Sequence, residues 1–184
     1  MGEALNGVGY VLLDRTKLEK RVRELGRAIS EHYRSRVSPS SPLVVVSVLK
    51  GSFIFAADLV RALDIPVRIE FLGVRSYGDS TTSSGVVQVT QDLSHSVEEQ
   101  DVLLVEDIVD TGLTSAFLLE QMQSRRARTV GLCSLLNKPA RAVVPVQIDF
   151  LGFTIEDLFV VGYGLDAAQR FRNLPDLCVF QEDT

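Results

Sequence analysis

Between Asp14 and Arg36 the apolar residues Leu18, Val22, Leu25, Ile29 and Tyr33 recur at steps of three and four. That spacing lays one stripe along an amphipathic helix, with Asp14 or Thr16 placed to cap its start. The stretch SPSSP then breaks the period and reads as a connector. Pro42–Leu49 is a β-branched run, the pattern of a strand buried on both faces. Gly51-Ser52 leads into a second helical stretch, Phe53–Leu63, and Val67–Val74 reads as another strand. Residues 75–85, RSYGDSTTSSG, are polar and rich in Ser, Thr and Gly. Strand patterns resume at Val86–Thr90 and Asp101–Glu106, a helix is predicted over Gly112–Ser124, and a strand over Arg128–Leu136. Residues 146–184 hold short strands and turns with little helical period.

Apolar strands alternating with helices predict an α/β fold, a mostly parallel central sheet flanked by helices. Ligands of such sheets bind at the carboxyl ends of the strands, so the residues following each strand are the ones to inspect.

Composition narrows the classes. A chain of 184 residues, 46% hydrophobic and 23% charged, has the make-up of one soluble domain with a real core. No apolar run reaches the roughly 20 residues of a membrane helix, and the opening MGEALNGVGY lacks the charged and apolar regions of a secretory signal. A cytoplasmic location and no membrane partner are therefore expected. The net charge of −5 counts against a nucleic-acid partner, which needs a basic footprint. It does not count against phosphate ligands, which backbone N–H groups, a few cations and a metal can hold. Cys133 and Cys178 lie in apolar surroundings and read as packing thiols.

The densest chemistry lies in Val102–Thr114, VLLVEDIVDTGLT. A strand end presents Glu106 and Asp107, and Asp110 follows after Ile108-Val109. Thr111, Gly112, Leu113, Thr114 and Ser115 then form a hydroxylated turn into a helix. Such a turn offers N–H groups at a helix start to a phosphate, and Gly112 permits close approach or a positive φ. Carboxylates beside a phosphate call for a hydroxylated sugar or a divalent cation between them. One acid here would read as a cap; three acids within five positions, followed by that turn, read as a sugar-phosphate and metal site. Neither GxxxxGK[ST] nor GxGxxG occurs.

This segment closely resembles the phosphoribosyl-pyrophosphate motif of the type I phosphoribosyltransferases, and most of all that of the hypoxanthine–guanine phosphoribosyltransferases. The likeness runs from the strand at 43 to Arg172. It implies the fold of that family, with a core over about 14–145 and a small hood from the N-terminal residues and about 146–184, in a single domain over 1–184. It implies that Glu106 and Asp107 hold the ribose hydroxyls, directly or through Mg²⁺. Asp110 is then the general base at purine N7, and residues 111–115 cradle the 5′-phosphate.

Further positions match the same family. Lys50-Gly51, which composition alone leaves as a turn with a solvated lysine, becomes the pyrophosphate loop, where the family often has a cis peptide before the lysine. Residues 75–85, with the pair Ser76-Tyr77, become a flexible loop that closes over the reacting centre and excludes water. Lys138, in LLNKPAR, becomes the donor to the purine 6-oxo group, a preference that rejects adenine. In FVVGYGLD, Phe159 stacks on the base, Val160 offers backbone groups to it and Asp166 helps bind Mg²⁺. Arg172 contacts pyrophosphate. The bland alternatives are core packing for Phe159, a surface lysine for Lys138 and a rim salt bridge for Arg172.

The resemblance thus implies an enzyme that joins phosphoribosyl pyrophosphate to hypoxanthine or guanine with Mg²⁺, as a homodimer or homotetramer. Two rivals remain: a regulatory nucleic-acid-binding protein on the same scaffold, and a xanthine-preferring enzyme.

Overall fold

The computed structural model describes residues 7–77 and 86–181. The first strand, β1 (Val8–Leu13), precedes α1 (Arg15–Tyr33), whose start is capped by the Asp14 carboxylate accepting from the Lys17 N–H at 2.9 Å. The predicted stripe is the buried one: Leu18, Val22, Leu25, Ile29 and Tyr33 are each at most 3% exposed. The chain continues through β2 (Leu43–Leu49), α2 (Phe53–Ala62), β3 (Val67–Tyr77), β4 (Val86–Gln91), β5 (Asp101–Val109), α3 (Leu113–Ser124) and β6 (Thr129–Asn137). A 3₁₀ turn (Pro139–Arg141) then leads to β7 (Phe150–Thr154), β8 (Val160–Val161) and β9 (Leu177–Phe180).

Six strands form the central sheet in the order β4-β3-β2-β5-β6-β7, all parallel except the edge pair β3–β4. Alternation along the strands sorts their side chains to two sides. Val45, Leu103, Val105, Cys133 and Leu135 meet α1 and α2, while Val44, Val46, Val102, Leu104 and Leu132 meet Leu118 and Met122 of α3. From β2 the chain steps outward to β3; from β5 it steps the other way to β6 and β7. The reversal lies between the carboxyl ends of β2 and β5, the place where open α/β sheets open a ligand crevice. A second, three-stranded antiparallel sheet, β1-β9-β8, forms the hood.

Three boundaries differ from the sequence reading. Residues 146–184 were expected to supply hood alone, yet β7 pairs with β6 in the central sheet. A short, partly exposed edge strand containing Gly152 carries too little pattern to show which sheet it joins. Ser76 and Tyr77 were expected in a loop, yet their backbones extend β3, opposite Val87 and Val86. The antiparallel return of β4 supplies the pairing that their polar character hid; residues 78–85 of the expected lid lie outside the described residues. Finally, β5 runs on past Glu106 to Val109, paired with β6 as far as Asn137.

One buried polar anchor holds the start of β5. Asp101 is fully buried and accepts from Arg128 at 2.5 Å and from the Thr129 hydroxyl at 2.5 Å. Burial alone would raise its carboxyl, but the Arg128 and Thr129 hydrogen bonds outweigh that and hold it below the usual carboxylate range. A depressed folded value means the stabilisation is present above the unfolded carboxyl's pKa and is lost as pH falls through the folded one. Asp101→Asn is therefore expected to cost about 1–3 kcal/mol at neutral pH. In urea unfolding, the gap from the unsubstituted protein should narrow as the pH drops; a constant gap would refute the assignment.

Candidate active site

The carboxyl ends of β2 and β5 bring two loops together. After β2 the Leu49–Lys50 peptide is cis, as the family resemblance implied, and the Lys50 side chain is exposed. Gly51 sits directly under the Asp107 carboxylate: a Cβ at Gly51 would lie 1.6 Å from Asp107 Oδ2. From the hood side Gly164 packs on the same loop, so closely that a Cβ there would lie 2.2 Å from the Gly51 carbonyl oxygen. Arg172 donates to the Gly164 carbonyl at 2.8 Å and pairs with Asp166 at 2.5 Å. Lys50, Gly51, Asp107, Asp166 and Arg172, far apart in sequence, thus meet around one loop.

Glu106 and Asp107 differ in what surrounds them. Glu106 is 4% exposed, and its Oε1 has no hydrogen-bond partner among the described residues. Burial pushes its carboxyl up to about 8 against the lowering effect of the Ser115 hydroxyl, and the Asp107 charge adds to the rise. Asp107 is pushed up to about 6, again chiefly by burial, while Arg172 pulls it down and Asp166 pushes it up. An unpartnered buried carboxylate oxygen is costly on its own and suits a hydroxyl donor or a cation. The donor set therefore fits a ribose or a hard divalent ion. Glu106, Asp107 and Asp166 do not build a cage by themselves: among the described residues no three His, Cys, Asp or Glu side chains are grouped to hold a metal. Asp166 already engages Arg172 and accepts from the Gln169 N–H at 2.7 Å. A magnesium ion commonly takes one or two carboxylates and completes its shell with water and substrate oxygens.

The turn from Asp110 to Ser115 is held from behind. The Thr111 carbonyl accepts from the Val143 and Val144 N–H groups at 2.9 and 3.0 Å. Gly112, with φ +80°, is the N-cap of α3 and makes no side-chain cap. A Cβ at Gly112 would lie 2.1 Å from the Val144 carbonyl oxygen, so both the backbone angle and the space require glycine. The first turn of α3 contains no acid, and its first helical bond runs from the Ala116 N–H to the Gly112 carbonyl at 2.9 Å. The Leu113 N–H reaches the Thr111 hydroxyl at 3.5 Å, and the N–H groups of this first turn have no partner within the helix, which makes it a ready anion site.

Opposite this turn lies a set of charges from three segments. The Lys138 N–H donates to the Val109 carbonyl at 2.9 Å, which sets Lys138 beside Asp110. The Lys138 side chain is only 8% exposed, and its Nζ lies 3.8 Å from Asp157 Oδ1. Arg141 Nη1 reaches the same Asp157 oxygen at 3.7 Å, and Arg141 Nε lies 2.9 Å from Asp110 Oδ1. Two residues beyond Asp157, the Phe159 ring is 55% exposed and meets Phe180 edge-on at 5.5 Å. An exposed ring argues against the core-packing alternative for Phe159 and leaves a face for stacking. Val160 is buried and paired with Val179.

Sequence reasoning missed Arg141 and Asp157, which carry no motif of their own. Away from the site, His95 Nδ1 lies 2.7 Å from the buried Glu70 carboxylate, a pairing that no sequence pattern marks. The side chains of Ser76 and Tyr77, expected to close over the reacting centre, lie outside the described residues.

Comparison with known proteins matches this architecture. A model of the phosphoribosyl transferase domain matches residues 14–168. The hypoxanthine-guanine phosphoribosyltransferase of Mycobacterium avium is 45% identical over 165 residues, 89% of this chain and 81% of the relative. The bifunctional protein TilS/HprT of Listeria innocua is 42% identical over 97% of this chain, which spans 27% of that longer protein. A solved structure of Trypanosoma cruzi hypoxanthine phosphoribosyl transferase superposes with a TM-score of 0.90 at 41% identity, covering 95% of this chain and 92% of that one. By its matched domain, its sequence likeness and its fold, the chain belongs to the phosphoribosyl transferase domain family.

Proposed function

We propose that the chain transfers the phosphoribosyl group of phosphoribosyl pyrophosphate to N9 of hypoxanthine or guanine, giving IMP or GMP and pyrophosphate. One observation carries this reading. A loop for a leaving group, a buried acid beside a half-buried one, a helix start without a side-chain cap and a buried lysine near a third acid converge where the strand order reverses. The turn 111–115 binds the 5′-phosphate, and Glu106 and Asp107 accept from the ribose hydroxyls. Lys50, Gly51 and Arg172 receive the pyrophosphate, with Asp166 bracing Arg172. Glu106 and Asp107 would hold Mg²⁺ there, and the ion would supply charge neutralisation for the leaving group. Asp110 accepts the N7 proton as N9 attacks C1′. Lys138 donates to the 6-oxo group, Phe159 stacks on the base and Val160 lines it.

The 6-oxo contact sets the specificity. Adenine presents a 6-amino donor to the Lys138 donor, so two donors face each other and no hydrogen bond forms. The test supplies Mg²⁺, phosphoribosyl pyrophosphate and, separately, hypoxanthine, guanine, xanthine, adenine and uracil, and measures nucleotide formed. Product is expected with the first two; none from either would overturn the reading, and product chiefly from xanthine would reassign the base.

The same reading makes the chain one cytoplasmic phosphoribosyltransferase domain acting as a homodimer or homotetramer. Supporting the first, Cys133 and Cys178 are both free and buried, as suits a reducing compartment. Among the described residues no helix is long and apolar enough to cross a membrane. Supporting the second, Phe53, Ile69 and Phe71 expose 40–45% of their surface, and Ile69 and Phe71 share one face of β3. Sedimentation at only the 20.3 kDa monomer mass would refute the assembly.

A further inference from the structure

We propose that Arg141 and Asp157 are positioning residues that fix the acid Asp110 and the base-selecting Lys138 at opposite ends of one edge of the purine. The inference rests on the transfer reading above and extends it to two residues that reading does not use. The four side chains form a row of alternating charge: Asp110, Arg141, Asp157, Lys138. The successive separations are 2.9, 3.7 and 3.8 Å. They come from three separate segments: the turn after β5, the end of β6 with its 3₁₀ turn, and the connection from β7 to β8. Like charges in the row are always separated by an opposite one. Asp157 holds two cations that would otherwise repel, and Arg141 does the same for two carboxylates.

Each end of the row has a feature that needs the middle. Lys138 is nearly buried, and Asp157 is its ion-pair partner among the described residues. A buried ammonium without an anion is strongly disfavoured, so Asp157 compensates the Lys138 charge and aims the side chain. At the other end, Asp110 Oδ1 is buried and lies 2.9 Å from Arg141 Nε, yet no N–H is directed at it. The guanidinium therefore holds the carboxylate from its buried oxygen, while the side chain as a whole stays 38% exposed. A general base needs that combination, held in place yet open to a proton donor. The N7–H and 6-oxo groups lie on one edge of a 6-oxopurine, an acceptor-seeking site next to a donor-seeking one. The row offers Asp110 and Lys138 to that edge at a separation set by the two residues between them.

Steady-state kinetics on the full chain with hypoxanthine and phosphoribosyl pyrophosphate separate the two roles. Asp157→Asn is expected to raise KM for hypoxanthine about tenfold, the worth of one charge-assisted contact, with kcat changed less than about threefold. Arg141→Gln is expected to lower kcat about tenfold while KM for phosphoribosyl pyrophosphate stays within about twofold. The conservative Asp157→Glu and Arg141→Lys should recover most of each loss, which a merely structural role would not give. The double variant should lose less than the product of the single effects. Asp157→Ser and Arg141→Met replace any variant that fails to fold. Asp110→Asn is the control. If it loses turnover while the Arg141 and Asp157 variants match the unsubstituted chain, the positioning role is wrong and the transfer reading stands. If Asp110→Asn itself keeps full turnover, the general-base reading fails first, and the positioning role falls with it.

Discussion

Asp110→Asn is expected to lower turnover by about 10²–10⁴-fold, the range over which a positioned general base contributes. The amide preserves the shape of the side chain and removes its charge and its capacity to take a proton. The turn that would hold the 5′-phosphate is fixed by Val143 and Val144 on the Thr111 carbonyl and by the Gly112 backbone, none of which involves the Asp110 side chain. KM for phosphoribosyl pyrophosphate should therefore stay close to its unsubstituted value while kcat collapses. That split marks an interaction used in the transition state and not in ground-state binding. Unchanged kcat would show that the N7 proton leaves by another route.

Gly51→Ala is expected to lower kcat/KM for phosphoribosyl pyrophosphate by about 10²-fold, the scale of misplacing a reacting group by an ångström. The added methyl would fall 1.6 Å from Asp107 Oδ2 and 2.5 Å from its Cγ, so the carboxylate must swing away. Asp107 would then leave Arg172, whose charge it feels, and the ribose hydroxyls it is proposed to receive. The central sheet does not depend on this contact, so the thermal unfolding midpoint should move by no more than a few degrees. A variant with unchanged kcat/KM would show that Asp107 can act from elsewhere.

The parts of this site that the sequence displayed are those written in consecutive residues. Val102–Val105 announce a buried strand, Glu106, Asp107 and Asp110 crowd its end, and a hydroxyl–glycine turn opens the next helix. Local chemistry led from there to a phosphate and sugar site, and the family resemblance supplied the reaction. The α1 stripe was equally legible, because its period is the period of the helix. What stayed hidden depends on contacts between distant polar residues, for which no periodicity exists. Arg141 follows a proline in a turn and Asp157 lies between two short strands, and only the folded sheet sets both beside Asp110 and Lys138. Glu70 and His95 are another such pair. The membership of β7 in the main sheet was hidden for a different reason. An edge strand of five residues satisfies its pattern in either sheet, and pairing with β6 decides between them.

The order of these parts along the chain has a consequence of its own. Most of what would recognise the donor, Lys50, Gly51 and residues 106–115, comes before Asn137. Most of what would choose the acceptor, Lys138, Arg141, Asp157, Phe159 and Val160, falls in the short span that follows. Among the described residues, few backbone bonds tie that span to the phosphate turn: Lys138 to Val109, and Val143 and Val144 to Thr111. Gly164 and Arg172 then return to the pyrophosphate loop. Donor and acceptor recognition are therefore close to separable cassettes. A lineage that exchanged side chains within residues 138–160 alone, keeping those backbone contacts and the pairing of β7 with β6, could take up a new nucleobase while inheriting its handling of the activated sugar intact.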